Sequence, residues 1–98
     1  MSRWLQSGRR RDVCILLAGT DQLTAQQLKT RLERRYDERI EPQSFYAALD
    51  ELERLGHVES HVEGLADAYS LTEAGERLVR AQYEWMRERV EDERADGD

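Results

Sequence analysis

The 98-residue chain contains one cysteine, one proline, one lysine and one phenylalanine, and no long run of apolar residues. Each scarcity excludes something. Cys14 alone cannot build a disulfide framework within the chain or a cysteine zinc site. No segment approaches the length of a bilayer span, and Met1-Ser2-Arg3-Trp4 is not followed by the apolar stretch of a signal peptide, so a soluble, cytoplasmic protein is expected. A chain this short makes one small domain, with room for a modest core and little for a buried active site. No Ser/His/Asp, Cys/His or phosphate-loop pattern appears, so neither an enzyme nor a cofactor is expected.

Lysine is nearly absent while charge is abundant. Of the 15 basic residues only Lys29 is not arginine, and 21 Asp and Glu bring the net charge to −6. This balance resembles the acidic proteins of salt-loving archaea, although GC-rich coding produces the same preference for arginine. The charge is unevenly spread. Residues 1–40 hold nine basic and five acidic side chains, a balance of +4, whereas residues 41–98 hold six and sixteen, a balance of −10. A basic patch on an acidic body still attracts a polyanion locally.

The strongest positional signal is IEPQSFYAALDELERLGHV, from Ile40 to Val58. Pro42 fits a first-turn helix position, where a missing N–H is harmless. Phe45, Leu49, Leu52 and Leu55 step by 4, 3 and 3 as one apolar stripe, and Gly56 falls where a helix needs a left-handed stop. The other face carries Gln43, Ser44, Tyr46, Ala47 and Asp50, small and hydrogen-bonding groups suited to a DNA major groove.

Around this helix the pattern predicts a first helix from Arg9 to Ala18, with Val13, Leu16 and Leu17 buried and Cys14 and Ile15 at the margins. A second spans about Ala25 to Tyr36, opened by a capping box of Thr24 and Gln27. Two short strands, His57–Val62 and Ala68–Leu71, flank a loop of Glu63-Gly64-Leu65-Ala66-Asp67. Thr72 caps a last helix from Glu73 to roughly Glu93. The expected fold is mainly α with a small β-hairpin, a winged helix-turn-helix with a long C-terminal helix. Residues 1–72 form the DNA-binding unit with its N-terminal extension, 73–93 the dimerisation helix, and 94–98 a disordered acidic tail.

At these residues the chain resembles the PadR-like winged-helix transcriptional regulators. Tyr46 stands at the aromatic position of the recognition helix, followed by Leu49, Leu52 and Gly56. The hairpin ends in Tyr69, Leu71, Thr72 and Gly75, the family's Tyr-x-Leu-Thr-x-x-Gly. The likeness covers about Arg10 to Val90, and the single terminal helix resembles the small subclass. It implies a homodimer on a palindromic operator, repression, and a small hydrophobic effector at the dimer interface. The chain departs from the pattern in its acidic hairpin tip, which has no Arg or Lys.

Direct DNA contacts are expected from Gln43, Ser44, Tyr46 and Ala47, and phosphate contacts from Arg9, Arg10, Arg11, Arg34 and Arg35. Asp50 is expected to stand back from the groove as a solvated acid. Val79, Tyr83, Met86 and Val90 step by 4, 3 and 4, a seam for a second helix. With Leu78, Gln82 and Trp85, and with Trp4 and Leu5 ahead of the first helix, they make the expected dimer interface. His57, Glu59, His61 and Glu63 alternate along a strand, but as exposed polar residues rather than metal ligands. Cys14 reads as a small buried hydrophobe. The alternative function, favoured by the net charge, is a winged-helix protein-interaction module.

Overall fold

The computed structural model describes residues 8–96, arranged as α1 (Gly8–Ala18), β1 (Leu23–Thr24), α2 (Ala25–Tyr36), α3 (Pro42–Arg54), β2 (Val58–Glu63), β3 (Ala66–Leu71) and α4 (Glu73–Asp96). The three strands form an antiparallel sheet in the order β1-β3-β2. The three short helices pack about a core of Val13, Leu17, Leu28, Leu32, Phe45, Leu49, Leu52 and Val58, all at most 2% exposed. Burying each such side chain contributes about 1.5–3 kcal/mol, so the helical stripes define which faces turn inward. The result is the winged helix-turn-helix arrangement, with β2 and β3 as the wing.

Each junction has a local cause. Thr24 Oγ1 accepts from the Gln27 N–H while the Gln27 side chain accepts from the Thr24 N–H, the reciprocal capping box read from the sequence. Asp37 ends α2 in the left-handed region at φ 55°. The Glu33 carboxylate then takes Lys29 Nζ at 2.8 Å and the Ile40 N–H at 2.9 Å, fastening the turn that sets the angle of α3. Those two bonds hold the Glu33 carboxyl below the usual carboxylate range. Pro42 is the first residue of α3, and Gly56 stops that helix at φ 80°.

Several boundaries differ from the sequence expectation. Strand β1 was not anticipated: two residues are too short to carry a period, and they are strand only because Leu23 and Thr24 pair with Tyr69 and Ala68. The five-residue hairpin loop is a two-residue turn, because β2 and β3 stay paired as far as Glu63↔Ala66. Gly64 takes φ 65° and Leu65 a negative φ, the combination a type II′ turn requires at its two central residues. In α1 the buried positions are Val13, Cys14 and Leu17; Cys14 lies inside rather than at the margin, and Leu16 is only partly buried. This helix packs against α2, α3, β3 and α4 at once, so its buried face is broader than a two-sided stripe. Finally, α4 continues to Asp96, so the boundary expected at 93 falls inside the helix.

The start of α4 is sewn to the end of α3. Thr72 Oγ1 accepts from the Gly75 N–H and donates to the Gly56 carbonyl, and the Thr72 N–H donates to the His57 carbonyl at 3.1 Å. Gly75 is buried against that carbonyl: a Cβ there would stand 2.1 Å from His57 O. The Thr-x-x-Gly spacing is thus a close backbone approach as well as a cap. Beyond Leu78 and Val79, which are half-buried on the core, α4 leaves the body of the molecule. At 1.5 Å per residue its 24 residues span about 36 Å, within a molecule 54 Å long.

Candidate nucleic-acid interface

Helix α3 is amphipathic in the plainest sense. Phe45, Leu49 and Leu52 anchor it, and Gln43, Ser44, Tyr46, Ala47 and Asp50 are exposed on its outer face. The Tyr46 ring meets Phe45 edge-on, with centroids 5.5 Å apart and planes at 74°, which steadies a tyrosine that is otherwise 47% exposed. The N-terminal turn of α1 lies beside this face. Arg9 and Arg10 join Ser44, Ala47, Ala48 and Glu51 around an open groove of about 370 Å³. Residues more than thirty positions apart in sequence are thereby brought into one basic-edged concavity.

The arginines differ in how much of their charge is already engaged. Arg10 Nη1 is 3.9 Å from Glu51 Oε1, a loose pair, and Glu51 is held below its ordinary range chiefly by Arg54. Arg11 Nε is 3.4 Å from Asp12 Oδ1. The other Asp12 oxygen accepts from the Tyr36 hydroxyl, which joins α1 to α2; burial and then Asp12 push that phenol up to about 12. Arg9 Nε is buried with no hydrogen-bond partner among the described residues. Arg34 and Arg35 are exposed in the last turn of α2, form no ion pair among the described residues, and do not line the groove.

A second cleft, of about 220 Å³, lies between α3 and the wing and is lined by Thr24, Ala25, Gln26, Tyr46, Ala66, Asp67 and Tyr69. The first turn of α2 opens here, where its N–H groups and dipole favour an anion. Sequence reasoning missed Gln26 and Tyr69. The capping box at Thr24 marks the helix start and Ala68–Leu71 is legible as a strand, but that the two lie side by side follows only from the pairing of Leu23 and Thr24 with Tyr69 and Ala68.

The other singled-out residues are dispersed. His61 Nε2 is hydrogen-bonded to Gln22 Oε1, tying the wing to the turn before β1. His57 is half-buried, and burial followed by Arg10 lowers its pKa. Among the described residues, no three His, Cys, Asp or Glu side chains gather as metal ligands. Cys14 is buried, and its thiol is pushed up to about 12 by burial. On α4, Leu78, Val79 and Gln82 are half-buried, whereas Tyr83, Trp85, Met86 and Val90 are each at least 50% exposed. Arg89 stacks over Trp85, its guanidinium carbon 5.6 Å from the ring centroid. Trp4 and Leu5 lie outside the described residues. No described helix is long and apolar enough to cross a membrane.

This fold is shared with winged-helix regulators. H. salinarum RosR is similar at 26% identity, over 93% of this chain and 92% of that one, with a TM-score of 0.78. FabT of Streptococcus pneumoniae, in complex with DNA, superposes with a TM-score of 0.77 at 20% identity, over 99% of this chain and 66% of that one. The adhesin competence repressor of Streptococcus pyogenes gives 0.69 at 14% identity, over 91% of this chain and 63% of that one. No protein-family model matches the chain, and no curated protein is significantly similar to it.

Proposed function

We propose that this protein is a DNA-binding transcriptional regulator that inserts α3 into the major groove. The observation that carries the reading is the meeting of Arg9 and Arg10 with Ser44 and Ala47 at one open groove on the exposed face of α3. Cations beside a polar, small-residue helix face supply the two things a groove-reading helix needs: phosphate anchoring and close approach to base edges. The likeness to RosR along nearly the whole length of both chains, and the DNA complex of FabT, support the reading. Tyr46 and Gln43 read base edges or adjacent phosphates. Arg9, Arg10, Arg34 and Arg35 neutralise backbone, and Arg11 contributes less because Asp12 holds it.

The finer reading is a PadR-like repressor of the small subclass. Residues 1–72 serve as the DNA-binding unit, and residues 73–93 pair with a second copy through Val79, Tyr83, Met86 and Val90. The half-exposed apolar face at the free end of α4 supports this pairing. Two recognition helices then enter successive major grooves of a palindromic operator. An effector, if one acts, is a small hydrophobic molecule beside Trp85. The acidic, arginine-only composition fits a protein working in concentrated salt.

The test is a titration of labelled promoter DNA, starting with the protein's own promoter, at low and multimolar KCl. It compares the native protein with a Gln43→Ala, Tyr46→Ala double variant. Selective binding lost in the variant is expected. Absence of selective binding at every salt concentration overturns the reading in favour of a protein-interaction module.

A further inference from the structure

Arg54, the last residue of α3, stands on the same line of the helix as Gln43 and Ala47. The spacings correspond to about three and about two turns, so all three leave the helix within about 20° of one direction. That direction is opposite the buried stripe of Phe45, Leu49 and Leu52. Side-chain length along the line follows the shape of a groove. A straight helix lies closest to curved DNA near its middle and diverges from it towards both ends. Ala47 occupies the middle, where a short side chain permits close approach, and the longer Gln43 and Arg54 occupy the ends.

The Arg54 side chain is 68% exposed, yet its orientation is fixed. Its Nε donates to Glu51 Oε2 at 3.0 Å and its Nη2 to Glu51 Oε1, a two-pronged pair. Glu51 is half-buried, and from the other side its Oε1 is 3.9 Å from Arg10 Nη1 of α1. The carboxylate thus engages the lateral edge of the Arg54 guanidinium. The terminal edge, with both Nη1 hydrogens and the second Nη2 hydrogen, has no partner among the described residues. Arg87 on α4 is the contrast: its terminal edge is engaged, Nη1 by Glu91 and Nη2 by Glu84. A planar fork rooted on the line of Gln43 and Ala47, with two terminal nitrogens free, matches the paired acceptors O6 and N7 of guanine.

Resting on the DNA-binding reading above, we propose that Arg54 reads a guanine in the major groove and that Glu51 is its positioning residue. Arg54 donates from Nη1 and Nη2 to guanine O6 and N7. Glu51 makes no contact with the base; it removes in advance the rotamer freedom that a loose arginine loses on binding. Its negative charge, taken alone, opposes the phosphate backbone. Loss of Glu51 therefore moves guanine discrimination and sequence-independent affinity in opposite directions.

The experiment uses the promoter fragment that the native protein binds selectively, with each guanine replaced in turn by 7-deazaguanine, which lacks the N7 acceptor. Affinities for these fragments and for non-selected DNA are measured for the native protein, Arg54→Ala, Arg54→Lys and Glu51→Ala, over a range of KCl. The native protein should lose about 10-fold at one guanine position. Arg54→Ala should bind the unmodified fragment about 10- to 100-fold more weakly and be insensitive to the exchange at that position. Arg54→Lys, which keeps the charge but not the fork, should lose the same guanine preference with the native salt slope. Glu51→Ala should lose about 3- to 10-fold of the preference while binding non-selected DNA at least as tightly as the native protein. An unchanged guanine pattern in Arg54→Ala and Arg54→Lys overturns the proposal. So does an equal loss on selected and non-selected DNA with a salt slope smaller by about 1, the mark of a phosphate contact. Native discrimination in Glu51→Ala overturns the positioning role. Failure of the native protein to bind any fragment selectively fails the DNA-binding reading itself, and the role of Arg54 falls with it.

Discussion

Replacing Gly75 by alanine isolates the physics that joins the terminal helix to the winged domain. At an ordinary helix position this exchange stabilises by about 1 kcal/mol, because alanine loses less backbone entropy and has the higher helix propensity. Here the new Cβ would stand 2.1 Å from the His57 carbonyl oxygen and 2.9 Å from Leu71 Cδ2. Restoring ordinary contact requires the first turn of α4 to lift by about 1 Å from the end of α3, which a close-packed interior resists. That lift breaks the Thr72 N–H bond to His57 and the Thr72 hydroxyl bond to Gly56. Two such bonds are worth about 1 kcal/mol each net. Loosening Leu71, Leu78 and Val79 from the core adds about 1–2 kcal/mol. Against the propensity gain, the net loss is about 2–3 kcal/mol, or about 10–20 °C in Tm for a domain of this size. Thermal unfolding followed by circular dichroism, at one fixed protein concentration, measures it. A Tm equal to or above that of the native protein refutes the reasoning, since the sign distinguishes a close approach from an open helix position.

Three further outcomes are expected. Because Glu33 has a lowered pKa, its contribution is present above the unfolded carboxylate range and is lost as pH falls through the folded value. The Tm gap between native protein and Glu33→Gln should therefore be open at pH 7 and close towards pH 3, and parallel Tm curves would contradict this. The Cys14 thiol, pushed up to about 12 by burial, should resist a disulfide-exchange reagent at pH 8 in the native protein and react at once in urea; fast native reaction would place it at the surface. Met86→Glu with Val90→Glu, two half-exposed positions on the free end of α4, should weaken self-association by at least about 100-fold in sedimentation equilibrium. A native protein that is already monomeric at high concentration would remove the dimer from the proposal.

The helices were the most legible part of the chain, for reasons visible at particular residues. Phe45, Leu49 and Leu52 repeat at helical period, Pro42 and Gly56 bracket them, and Thr24 with Gln27 marks the start of α2. All of these signals lie within a few residues of the feature they specify. Strand β1 and the tight turn at Gly64-Leu65 were not legible, because each exists through pairing with another strand. The helical stripe of α1 puts Cys14 at a margin because a stripe assumes one packing partner, whereas α1 meets four elements and buries it. For the candidate site, the exposed residues of α3 followed directly from the positions left over by its core stripe.

What the sequence alone determined is the order of elements, the inward face of each helix and the absence of positive charge from the wing, since these depend on local periodicity and composition. Only the tertiary structure decided which charges meet. It set Arg9 and Arg10 beside Ser44 and Ala47, brought Arg10 to 3.9 Å from Glu51, and joined Asp12 to the Tyr36 hydroxyl. Electrostatic interaction depends on distance through space rather than along the chain. The helix crossing set by the Glu33 turn and the Gly75 contact therefore does what no pattern of residues could state.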